Sequence, residues 1–97
     1  MNYLETLHQL ETIIRQRKTA SPETSYSAKL LHQGVDRIAK KVGEEASEVI
    51  IAAKNRDINE LNAEAADLIY HLLLLLCNGN SSIEEVCKVL DQRMKKN

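Results

Sequence analysis

Val35, Ile38, Ala39, Val42, Ala46, Val49, Ile50 and Ala53 recur at three- and four-residue intervals. A strand would alternate. So long a run at this spacing lines up along one stripe of an α-helix, and it predicts a helix over roughly 35–54.

The rest of the chain has few residues from which to build anything but more helices. Three Gly, one Pro, no Phe and no Trp in 97 residues leave little turn or strand vocabulary, whereas the abundant Leu, Ala, Glu, Lys and Gln all favour helix. Leu4, Leu7, Leu10 and Ile14 predict an amphipathic helix from about 3 to 18, with Asn2 and Glu5 at capping distance. The polar stretch from Thr19 to Ser25 holds Pro22 and reads as a loop, followed by a helical turn around Ala28 to His32 that Gly34 ends. Asp57 and Glu60 have the spacing of a capping box for a helix reaching about Cys77. Asn78-Gly79-Asn80 stops it, and Ser81 with Glu84 is expected to cap a last helix carrying Ile83, Val86, Val89 and Leu90.

The expected fold is therefore all-α: a bundle of four to five helices around a central antiparallel hairpin, with residues 1–97 as a single domain. A domain of this size buries a modest fraction of its surface, which favours completion by a second copy. The run Leu72 to Leu76 is apolar on every side of its helix, and Ile51 lies opposite Val42, so both are expected to meet a partner subunit.

A net charge of −1, from 13 basic and 14 acidic residues, gives no bulk attraction for nucleic acid. Cys77 and Cys87 form neither a disulfide framework nor a CxxC pair, as expected of a reduced cytoplasmic protein. The N-terminus lacks the order of a signal peptide. The longest apolar run, Leu72 to Cys77, is far short of the roughly 20 residues that span a bilayer.

The chemistry concentrates in carboxylates. Gly43-Glu44-Glu45-Ala46-Ser47-Glu48 crowds three acids onto the central helix. At about 100° per residue, Glu45 and Glu48 fall at about 300° and 240° from Val42, flanking the core stripe, while Glu44 at about 200° points further towards solvent. On the next helix Glu64 and Asp67 repeat the i, i+3 arrangement. If the two helices form a hairpin pivoting at Arg56, Glu48 and Glu64 are equidistant from the pivot, as are Glu45 and Asp67, so all four share one level. Packed helices lie about 8–10 Å apart, close enough for the four to meet around one ion. Oxygen-only donors favour Mg²⁺, with Mn²⁺ possible, and Mg²⁺ keeps positions open for water and phosphate oxygens.

A plainer reading stays open, in which the acids are a solvated face balanced by Lys40, Lys41 and Lys54. Lys41, Arg37 and Lys54 are candidates for phosphate contacts, or simply for pairs such as Lys41 with Glu45. His71 is at the height of Lys41 and on the side of Glu64, and is expected to be packed or hydrogen-bonded rather than catalytic.

Glu44-Glu45-x-x-Glu48 followed by Glu64-x-x-Asp67 resembles the metal motif of the MazG-like all-alpha nucleotide pyrophosphohydrolases. More narrowly, the segments Ser25 to Leu31, Ile38 to Glu45 and Glu64 to His71, with Gly34, resemble the phosphoribosyl-ATP pyrophosphohydrolase family over nearly the whole chain. The resemblance implies Mg²⁺-dependent hydrolysis of phosphoribosyl-ATP to phosphoribosyl-AMP and pyrophosphate, the second step of histidine biosynthesis. It implies Glu45, Glu48, Glu64 and Asp67 as metal ligands, and Glu44 as a further ligand or the base. It also implies Lys41 and Lys54 on phosphate oxygens, and Ser25, Tyr26, Ser27 and Lys29 along the substrate. A homodimer in the cytoplasm is implied as well, in stand-alone form, with a cyclohydrolase for phosphoribosyl-AMP as a possible associate. Two other functions compete: a house-cleaning pyrophosphohydrolase for common nucleoside triphosphates, and a non-catalytic helical dimerisation module.

Overall fold

The computed structural model describes residues 2–96. Five helices follow in chain order: α1 (Glu5–Arg17), α2 (Tyr26–Gln33), α3 (Val35–Asn55), α4 (Ile58–Asn78) and α5 (Ile83–Lys96). No strand occurs among the described residues. The periodic stripe centred on Val42 does become one long helix, and α3 and α4 form the expected antiparallel hairpin, the most extensive helix pair in the molecule.

The hairpin turn is two residues long. Arg56 closes α3 in the left-handed region at φ 57°, and Asp57 in extended backbone opens α4 by accepting the Glu60 N–H at 3.1 Å. A side-chain oxygen on an otherwise orphaned amide lets the second helix start at once. Gly34 plays the corresponding part between α2 and α3: its φ of 94° lets the last turn of α2 give way directly to Val35.

Three end-points differ from the sequence reading. Asn2 makes a turn before α1 instead of capping it, its Oδ1 accepting the Leu4 N–H, and the helix starts at Glu5. The turn expected around Ala28 is an eight-residue helix, because Ser25 Oγ accepts the Ala28 N–H and fixes the start at Tyr26, two residues earlier. For α5 the capping hydroxyl is that of Ser82, which accepts the Glu85 N–H at 3.2 Å, rather than that of Ser81.

A second device opens α5. The Glu11 carboxylate, 2% exposed on α1, accepts the Ile83 N–H at 2.7 Å and the Arg15 guanidinium at 3.0 Å. A buried negative charge is tolerable here because a helix N-terminus and a cation both face it. Glu11 lies on the α1 stripe, four residues after Leu7 and three before Ile14. An acid on an otherwise apolar stripe was the available signal, and periodicity alone passes over it.

The core joins Ile14, Leu30, Ile38, Leu73, Leu74 and Cys77. This corrects the reading of the leucine run: Leu73 and Leu74 are fully buried in the chain's own core, and Leu75 and Leu76 pack against it. Helices α1 and α2 cover α4 on sides that an isolated hairpin would leave bare. Only Leu72 of the run is exposed, at 37%.

Candidate active site

The acids enter the site from the two arms of the hairpin. Glu45 on α3 and Glu64 on α4 are half-buried, Asp67 is exposed, and each offers an oxygen within 4.8 Å of the other two. Glu48 lies outside that triad but close enough to act on the ionisation of Glu64. Of the four acids expected at one level, three thus come together and the fourth stands beside them. Glu44 points to solvent, as its angle on the helix predicts.

Burial of Glu64 pushes its carboxyl above the ordinary range, and the charges of Asp67, Glu48, Glu45 and Glu60 push it the same way. With a folded pKa above the unfolded one, the native state holds the extra proton, so stability falls as pH rises. The contribution is intact below the unfolded value and is lost as pH rises through the folded one. Without metal, the stability deficit of wild type relative to Glu64→Gln should therefore widen across that window. Chemical denaturation of both proteins at a series of pH values in chelator checks this; a constant difference would count against it.

Lys41 is the countercharge built into the site. Its Nζ is 3.4 Å from Glu44 Oε2 and 3.8 Å from Glu45 Oε1, so the pairing reading of this lysine is the one seen. Lys54 stands in the exposed last turn of α3. Lys29 is exposed on α2 and lines a cavity of about 620 Å³ with Pro22, Glu23, His32 and Gln33.

The hydroxyls of the Ser25 to Ser27 segment are engaged within the protein. Ser25 caps α2, Tyr26 bonds His71 Nε2 at 2.9 Å, and the buried Ser27 bonds the Tyr70 hydroxyl. Burial raises the Tyr70 phenol, the Ser27 bond opposing and Tyr26 adding to it. His71, 5% exposed, places Nδ1 2.7 Å from the Asp67 carbonyl. A carbonyl only accepts, so Nδ1 carries the proton and Nε2 accepts from Tyr26. His71 is thus a hydrogen-bonded, packed histidine. The Tyr70–Ser27 and Tyr26–His71 links between α4 and α2 had no periodic signature, because they connect residues more than forty positions apart.

The oxygen-only donor set suits a hard divalent ion. An all-helical chain that faces carboxylates across an antiparallel hairpin has the architecture of the MazG-like class that its sequence resembles. Within that class, the family model for phosphoribosyl-ATP pyrophosphohydrolase matches residues 7–94, and the chain belongs to this family. It is 51% identical over 90 residues to the phosphoribosyl-ATP pyrophosphatase of Leptospira biflexa, covering 93% of this chain and 98% of that one. The phosphoribosyl-ATP pyrophosphatase of Zymomonas mobilis is 51% identical over 89 residues, 92% of this chain and 83% of that one. The histidine biosynthesis bifunctional protein HisIE of Bacillus subtilis is 54% identical over 87 residues, 90% of this chain but 42% of that protein. The chain spans less than half the length of its bifunctional relatives. Among the described residues, no helix is long and apolar enough to cross a membrane.

Proposed function

We propose that this chain hydrolyses phosphoribosyl-ATP to phosphoribosyl-AMP and pyrophosphate, the second step of histidine biosynthesis, in the cytoplasm. The observation that carries the reading is the meeting of Glu45, Glu64 and Asp67 across the hairpin, in a chain of this family. Mg²⁺ held by these three with Glu48 would neutralise charge developing on the phosphates and orient the attacking water. Glu44, Glu45 and Glu48 form the catalytic face of α3. Glu44, exposed beside Lys41, accepts the proton of the water that adds at the α–β linkage, and pyrophosphate departs with the electrons of the broken P–O bond. Lys41 exchanges its carboxylate partners for phosphate oxygens as substrate arrives, and Lys54 meets the outer phosphates. Lys29, Tyr26, Ser25 and Ser27 form the α2 side of the substrate groove, the two serines by fixing its shape.

³¹P NMR of phosphoribosyl-ATP with the protein, with and without Mg²⁺ and beside common nucleoside triphosphates, tests the reading. Mg²⁺-dependent pyrophosphate release from phosphoribosyl-ATP alone is expected. Cleavage of the common triphosphates would instead make it a house-cleaning enzyme, and no cleavage at all would make it a binding module.

The active species is a homodimer. The chain exposes 7036 Å², against roughly 5,600 Å² for a folded monomer of 11.0 kDa. The excess is more than the roughly 800 Å² per subunit that a stable interface covers. Ile58, Ala65, Ile69, Leu72 and Leu76 run along one outer stripe of α4 at heptad-like spacing, with Ile58, Ile69 and Leu72 exposed. Leu72→Glu should shift the sedimentation profile to monomer without unfolding the chain, and an unchanged profile would place the interface elsewhere. Since its product is the substrate of a phosphoribosyl-AMP cyclohydrolase, that enzyme is the candidate associate.

A further inference from the structure

Tyrosines on protein surfaces usually bury the ring and leave the hydroxyl wet. Tyr26 does the reverse. Its hydroxyl is turned inward onto the buried His71 at 2.9 Å, while the residue as a whole is 48% exposed. The exposed part is therefore largely the ring. That ring is held from two sides, at 5.7 Å and 83° to the His71 imidazole and at 6.1 Å and 25° to the Tyr70 ring. These two neighbours and the hydroxyl bond restrain the ring.

Its position gives this surface a use. Glu64, Asp67 and His71 stand at i, i+3 and i+7 on one face of α4, so Tyr26 closes the end of the acid row away from the Arg56 turn. From Asp67 to His71 is about 6 Å along the helix axis. A nucleotide whose phosphates lie on the acids thus finds this aromatic ring in the direction of α2 and the charged hairpin turn in the other. Of the three tyrosines in the chain, two are gathered at this end, and there is no Phe or Trp.

We propose that the outward ring face of Tyr26 is a stacking platform for the purine base of a bound nucleotide, with His71 holding the ring in place. This rests on the reading that the acids receive the phosphates, and it adds which side chain receives the base. Stacking on an aromatic ring tolerates a substituted purine, since every base has a π-face.

The test titrates AMP, and separately inorganic pyrophosphate, into the Mg²⁺-loaded protein while the Tyr26 ring protons are followed by NMR. AMP should shift them and pyrophosphate should not. Tyr26→Leu keeps apolar bulk but removes the π-face, and should weaken AMP binding roughly 5- to 150-fold, the 1–3 kcal/mol of one stacked base. Pyrophosphate affinity should hold. With phosphoribosyl-ATP the loss should appear in KM rather than kcat, in the order wild type, Tyr26→Phe, Tyr26→Leu. AMP binding that leaves the Tyr26 resonances unmoved would overturn the platform, and this readout requires no variant to fold. Equal AMP affinity in Tyr26→Leu and wild type would do the same. If AMP shifts Tyr26 while phosphoribosyl-ATP is not cleaved, the substrate assignment fails and the platform stands; if phosphoribosyl-ATP is cleaved and AMP shifts nothing at Tyr26, the substrate assignment stands and the platform fails.

Discussion

Glu64→Gln should lower kcat/KM by about 10³-fold or more and, in the absence of metal, raise the melting temperature. Both effects follow from one property of the wild-type site. Glu64 brings its carboxylate within 4.8 Å of Glu45 and Asp67, where burial and its neighbours' charges all oppose its ionisation. A divalent cation held by these carboxylates, as proposed, would reverse that opposition and turn their repulsion into ligation. The amide keeps the shape, loses the charge and makes a poorer ligand. Losing one ligand of a metal that stabilises charge on the phosphates would cost about three decades in rate. Steady-state kinetics at saturating Mg²⁺, with thermal melts in chelator, check the two halves separately. Near-wild-type turnover would remove Glu64 from the site; a lower metal-free melting temperature would show that its charge has a stabilising partner.

Leu74→Ala should cost about 2–5 kcal/mol, because a fully buried leucine in a close-packed core leaves a cavity as well as losing its transfer energy. For a domain this small each kcal/mol moves the midpoint by about 4–8 °C, so a drop of about 8–40 °C is expected. Against a total of about 5–15 kcal/mol, that is a large share. Leu72, two residues earlier and 37% exposed, should respond differently: its truncation should leave the melting temperature nearly unchanged at concentrations low enough to keep the chain monomeric. Differential scanning calorimetry of the two alanine variants makes the comparison. Equal shifts would mean that the leucine run does not divide between core and surface as described.

The leucine run also marks where sequence reading stops. Leu72 to Leu76 looks apolar on all sides of one helix, which by itself implies a partner. Its actual partners are Ile14 of α1, Leu30 of α2 and Ile38 of α3, within the same chain. Periodicity reports how much of a helix must be covered, not by what.

The sequence by itself determined the helical class, the hairpin and the level of the acids. A 3.6-residue repeat fixes which side chains share a face, and two residues of turn at Arg56-Asp57 leave no freedom in how the arms align. Only the tertiary structure decided which acids touch, since Glu48 and Glu45 differ by a fraction of a helical turn in aim and only one of them joins the triad. It also decided that Glu11 caps α5 and that Tyr26 turns its hydroxyl inward. Each of these joins residues distant along the chain, and such contacts are set by how helices pack, on which no repeat along one helix bears.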